Sequence, residues 1–154
     1  FVAVEVQSID TTGNYRAERI SILRQSPLAS KSIAGLNWEN VNKRILPQLI
    51  YKGHVLRREE ICTKGLFFVC PTPVYEKINA RLGSSLPSYP QDRGTITFCW
   101  YDLGPKVKEG RIRSLVQGGS FTTTIDQLTL ALDRAIDLPE AGVYERAIKA
   151  ALGR

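Results

Sequence analysis

The chain has 154 residues, with 21 Lys+Arg against 15 Asp+Glu and one His, for a formal charge of +6. A domain of this size hides roughly 70% of its unfolded surface, and 43% hydrophobic with 23% charged residues excludes a disordered tail or a collagen-like chain. The longest apolar runs, such as Gly65-Leu66-Phe67-Phe68-Val69-Cys70, are too short to span a bilayer. No basic-then-apolar leader opens the sequence, so neither a retained signal peptide nor a membrane partner is expected.

Phe1-Val2-Ala3-Val4-Glu5-Val6-Gln7 is rich in β-branched residues and reads as a strand. Alternation puts Val2, Val4 and Val6 on one face and Phe1, Ala3, Glu5 and Gln7 on the other. Asp10-Thr11-Thr12-Gly13-Asn14 reads as a loop punctuated by Gly13-Asn14. A helix is predicted from Asn37, a good N-cap, with Glu39 in its first turn. Its core face carries Trp38, Val41, Ile45, Leu49 and Ile50. Pro47 should kink or break it, and Gly53 is its natural stop.

Gly65 to Cys70 reads as a buried strand, and Thr72-Pro73 opens a helix with Val74, Ile78 and Leu82 inward and Gly83 at its end. Ser84 to Arg93 is Ser/Pro-rich and reads as a loop. Thr95 to Tyr101 is a strand with Ile96, Phe98 and Trp100 on one face. Arg111 to Val116 is a further candidate strand, followed by a Gly118-Gly119 turn. Thr123 and Asp126 resemble a capping box for a helix with Ile125, Leu128, Leu132 and Ala135 inward. After Pro139 a last helix carries Val143, Ala147, Ile148 and Leu152. Strands followed by helices define one α/β domain over residues 1–154.

The absence of Met, and a first residue that opens straight into a strand, lead us to expect a piece of a longer or processed protein. The three Cys (Cys62, Cys70, Cys99) are widely spaced, with no C-x-x-C pair. They read as free core thiols in a reducing, cytoplasmic setting rather than a zinc site or disulfide framework. The positive charge suggests an anionic partner, with nucleic acid first.

Glu5 and Gln7 are the unusual pair. They project to one side of an otherwise apolar strand, roughly 7 Å apart. A carboxylate there is costly to bury without a partner, which a cation or a second charge would supply; alternatively, the strand lies at an edge with one wet face. Phosphodiester cleavage uses such groups. A divalent cation polarises the phosphoryl oxygen and lowers the pKa of the attacking water, and hard cations take carboxylate, carbonyl and water oxygens.

The segments Val4-Glu5-Val6-Gln7-Ser8-Ile9-Asp10-Thr11-Thr12-Gly13, Asn37-Trp38-Glu39-Asn40-Val41, Lys43-Arg44-Ile45-Leu46-Pro47-Gln48-Leu49 and Lys64-Gly65-Leu66-Phe67-Phe68-Val69 together resemble NotI-type restriction endonucleases. These belong to the PD-(D/E)xK nuclease superfamily. The likeness runs from residue 1 to about residue 120. It implies a restriction-endonuclease-like mixed sheet flanked by helices, with the first core strand or strands missing. It further implies the activity of a Type II enzyme: Mg²⁺-dependent hydrolysis of double-stranded DNA at a specific site, by a homodimer on a symmetric target.

Carried over, Glu5 binds the catalytic Mg²⁺, with the Val6 backbone carbonyl as a further ligand. Gln7 stands where the superfamily's usual Lys orients the nucleophilic water, and it brings no positive charge. The family's other metal-binding acid, an Asp, lies on the preceding strand, which would precede Phe1. The metal site is therefore expected to be incomplete and this chain a poor nuclease or inactive. Asp10 is nearby and reads first as a turn residue.

Arg16, Arg19 and Arg24 follow the strand. Lys43, Arg44, Lys52, His54, Arg57 and Arg58 cluster around the end of the first helix, and Lys106, Lys108, Arg111 and Arg113 flank a Gly-containing loop. Arg16, Arg19, Lys43 and Arg57 are the candidate DNA contacts, against the plainer alternative of a solvated face. His54 reads as a surface or capping residue, and Trp38 and Trp100 as core. Two further readings stand beside the nuclease. One is a non-catalytic DNA-binding module with a basic surface; the other is a structural α/β domain in which Glu-x-Gln is incidental.

Overall fold

The structure, a computed structural model, describes residues 1–9, 11–12, 20, 24, 35–83, 85–108, 110–134 and 140–153. Its centre is a four-stranded mixed sheet. The strands are β1 (Ala3–Val6), β4 (Leu66–Pro71), β5 (Thr95–Leu103) and β6 (Leu115–Thr124), in that spatial order. β1, β4 and β5 run parallel, and β6 returns antiparallel to β5. The short β2 (Thr11–Thr12) and β3 (Gly35–Leu36) pair with each other in a separate two-stranded ribbon. The helices are α1 (Leu46–Leu56), α2 (Thr72–Leu82), α3 (Ile125–Asp133) and α4 (Val143–Ala151). The chain is thus α/β with a mixed sheet, and the first three helices pack on it.

The core follows the strand alternation. Leu66, Phe68 and Cys70 of β4 pair in register with Ile96, Phe98 and Trp100 of β5. Their shared face meets Leu46 and Leu49 of α1, Val74, Ile78 and Leu82 of α2, and Ile125, Leu128 and Ala131 of α3 in one buried cluster. The predicted core faces of the first three helices are therefore observed. Phe68 and Phe98 meet edge to face, with ring centroids 6.0 Å apart.

Several predicted details are corrected. Pro47 stands in the first turn of α1, where the predicted single helix divides into two types. Val41–Ile45 form a π-helical turn, in which the Leu46 N–H bonds the Val41 carbonyl. The next nitrogen is Pro47's, which has no proton to give. The helix therefore changes from π to α spacing where the proline enters, in the first turn of α1. Gly53 does not stop α1, which continues to Leu56. It is buried, and a Cβ there would lie 2.8 Å from Ile125 Cγ1 and Cδ1. The glycine is needed for the close approach of α1 to α3.

The strand after the loop is Leu115–Thr124, so Arg111 lies outside it and Gly118-Gly119 lie within it. The register shifts between Trp100 and Tyr101, where Gly119 pairs with Trp100 and Gln117 with Tyr101. Gly118 is left over as a bulge. The cap of α3 is Thr124, whose Oγ1 accepts from the Gln127 N–H. Thr123 is buried and its hydroxyl donates to the Pro87 carbonyl, while Asp126 pairs with Arg57. The last helix is present, but Val143, Ile148 and Leu152 are exposed. Ala135 and the Gly13-Asn14 turn lie outside the described residues.

Candidate active site

β1 places the Glu-x-Gln pair. Ala3 pairs with Leu66 and Glu5 with Phe68, so Glu5 projects from the same face as the core positions of β4. Gln7 follows the same alternation, and its N–H bonds the Val69 carbonyl. The polar side chains thus turn towards the helices, and the valines turn out, Val4 at 59% and Val6 at 75% exposure. Among the described residues β1 pairs with β4 alone, so it is an edge strand. The wet face is not the polar one, however.

The backbone alternates too. The N–H groups of Ala3 and Gln7 point to β4. The Val6 carbonyl belongs to the same peptide as the Gln7 N–H and points the opposite way, to the open edge of the sheet.

The Glu5 side chain is 16% exposed, and its Oε1 accepts from Lys52 Nζ of α1 at 2.7 Å. Its other oxygen, Oε2, is buried without a hydrogen-bond partner, as are Gln7 Oε1 and Asn42 Oδ1. All three orphaned oxygens come from β1 and its adjoining Gln7, or from the π-helical turn before α1. Buried oxygens of this kind are uncommon and ask for a donor or a cation.

Glu5 lines an open groove of about 410 Å³ with Ala3, Val4, Tyr51, Lys52, Val55 and Leu66. Gln7 lines a different hollow, where β1 and β4 end, with Ser8, Cys70, Pro71, Tyr101 and Leu115. The pair shares a face but opens in two directions.

Lys43 lies in a groove with Arg44, Pro47 and Gln48 that shares Tyr51 and Lys52 with the Glu5 groove. Its ammonium pairs with Glu39 at 2.6 Å. This hydrogen bond raises the Lys43 ammonium above its ordinary range and holds the Glu39 carboxyl below its own. Arg57 is brought elsewhere. It lies with His54, Arg58 and Asp126 around a separate hollow, and its Nη1 alone donates to both Asp126 oxygens, at 3.1 and 3.2 Å. Arg16, Arg19 and Asp10 lie outside the described residues. Arg113 turns inward to the carbonyls of Leu103 and Gly104, clamping the loop between β5 and β6.

Lys52 is the residue that sequence reading counted among the basic cluster but did not join to Glu5. The only signal was indirect: a carboxylate inside an apolar strand needs a partner. Tyr51, exposed beside Lys52 on the wall between the grooves, had no signal at all.

Trp38 and Trp100 pack against the core. The three cysteines are free and buried. Burial pushes the Cys70 thiol up to about 12 and raises that of Cys99, so neither supplies a thiolate nucleophile. Among the described residues, no three His, Cys, Asp or Glu side chains gather as a metal-binding group, and no helix is long and apolar enough to cross a membrane. No protein-family model matches this chain, and no curated protein matches its sequence.

Proposed function

We propose that this chain carries part of a metal-dependent, site-specific deoxyribonuclease of the PD-(D/E)xK kind, acting as a homodimer on double-stranded DNA. One observation carries the reading: Glu5 Oε2 is a buried oxygen with no partner, beside a groove that shares Lys52 with the groove of Lys43 and Arg44, and Gln7 Oε1, next along the same face, is buried and unpartnered too, at the hollow where β1 and β4 end. The donor set suits a hard cation, which takes a carboxylate oxygen, a neutral carbonyl oxygen and water. Glu5 would hold Mg²⁺ with the Val6 carbonyl. Bound there, the ion would polarise a phosphoryl oxygen and acidify the attacking water. Gln7 orients that water by hydrogen bonding, and the basic groove positions the phosphate backbone.

A second reading is a DNA-binding module without turnover. The Glu5–Lys52 ion pair favours it, since the carboxylate is already neutralised by a side chain. Plasmid incubated with the chain and Mg²⁺ separates the two. The nuclease reading, with only part of the metal site on this chain, expects slow nicking that Glu5→Ala abolishes. Steeply salt-dependent binding without cleavage by Mg²⁺ or Mn²⁺ favours the module. A protein that neither binds nor cuts DNA ends both.

A further inference from the structure

Lys52 occupies a position that a simple counter-ion does not need. Its ammonium is 2.7 Å from Glu5 Oε1, yet its side chain is 46% exposed while that of Glu5 is 16% exposed. With Tyr51, it lines both the Glu5 groove and the groove of Lys43 and Arg44. An ammonium carries three N–H donors, and the bond to Glu5 uses one. A half-exposed ion pair adds little stability, and an apolar pair would serve the fold as well. Gln7 meanwhile brings no charge to the site.

We propose that Lys52 is the cationic catalytic residue of this site: from α1 it donates one N–H to Glu5 and another to a non-bridging oxygen of a DNA phosphate lying over Tyr51. The inference rests on the phosphodiesterase reading. In that reaction a water oxygen bonds to phosphorus while the P–O3′ bond breaks. The bond's electron pair leaves on O3′, which gains a proton as the water loses one, so one water is consumed. Lys52 keeps its proton throughout. Its charge meets the negative charge that builds on the phosphoryl oxygens, a task that Gln7 cannot perform.

The test uses the 154-residue chain and a duplex oligonucleotide. Without divalent ions, Lys52→Met should lower the slope of log affinity against log salt by about 0.9, one phosphate contact, and Lys52→Arg should keep it. With Mg²⁺, Lys52→Met should cut kcat about 100-fold, and adding Gln7→Lys should restore part of the loss by moving the charge to the strand. If Lys52→Met lowers the melting temperature, Lys52→Gln carries the same expectations.

Unchanged slope and unchanged cleavage in these variants, with Glu5→Ala inactive, would make Lys52 a mere counter-ion and leave the nuclease reading standing. If the wild type binds DNA without cutting it, that reading fails and the slope alone decides on the phosphate contact. If the wild type does neither, both are overturned.

Discussion

The rings of Trp100 and Tyr75 stack face to face, with centroids 3.6 Å apart and planes 6° from parallel. The stack ties β5 to α2, and the indole also lies close against Gly118 and Gly119 of β6. A Cβ at Gly119 would lie 2.4 Å from Trp100 Cζ2, and one at Gly118 would lie 2.6 Å from Cδ1. The glycines thus leave the space that the indole occupies. Gly119→Ala should destabilise by about 1–3 kcal/mol, as overpacking does, and should alter the near-ultraviolet circular dichroism of the stack. Trp100→Phe should relieve most of that extra cost, which a double-mutant cycle in denaturant reads. Additive effects would show that the glycines do not serve the indole.

The Glu5–Lys52 pair separates fold from function. With nearly half of Lys52 in solvent, the pair contributes less than about 1 kcal/mol. Glu5→Leu places an apolar side chain over Phe68 and removes an orphaned oxygen, so it should leave stability unchanged or raise it by about 1 kcal/mol. The same change should abolish any Mg²⁺-dependent heat in a calorimetric titration. On the opposite face, Val6→Thr should move stability by no more than about 0.5 kcal/mol. A large loss in Val6→Thr with none in Glu5→Leu would reverse the assignment of the two faces.

Period-2 and period-3.6 patterns made β1, β4, β5 and the first three helices legible, because Leu66, Phe68, Ile96, Phe98, Val74 and Ile78 are selected by burial alone. The glycines were not legible in the same way. Gly53, Gly118 and Gly119 look like punctuation in sequence, but each is small because a distant side chain presses on it. Such a reason is tertiary and leaves no local trace. The cap was misplaced by one residue for a similar cause: Thr123 and Thr124 are chemically alike, and only the bond of Thr123 to Pro87 decides between them. In the candidate site, alternation put Glu5 and Gln7 together but could not say which face was covered. It also could not find Lys52, which lies 47 residues away from Glu5.

The Cys70 thiol gives a pH signature. Burial, then the neighbouring Cys99, pushes it from an ordinary 9.0 up to about 12. Between those values the unfolded chain has lost the proton that the folded chain keeps. Stability from this group is therefore complete below pH 9 and falls as pH rises towards 12. Cys70→Ala should be less stable at neutral pH, because a cavity opens, yet show a shallower alkaline decline in denaturant midpoint than the wild type. The native thiol should also resist a disulfide reagent at pH 8 that modifies it at once in denaturant. Parallel alkaline slopes for the two proteins would remove Cys70 as the cause.

Lys43 can be tested through its partner as well as directly. Its partner Glu39 sits one helical turn earlier, and both side chains are largely in solvent. The pair contributes almost nothing to stability at such exposure, but Glu39 competes with any phosphate for the ammonium. On the DNA reading, Glu39→Gln should tighten duplex binding and steepen its salt dependence by up to about one counter-ion, whereas Lys43→Ala should weaken binding and flatten it. Melting temperatures should stay together, so the difference is one of binding and not of folding. Arg57 supplies the contrast: it lines a hollow that shares no residue with the Glu5 groove and is held by Asp126. Asp126→Asn should therefore strengthen binding less than Glu39→Gln does. The reverse order would move the DNA path away from Glu5 to the far end of α1, and the hydrolytic assignment of Glu5 would lose its substrate.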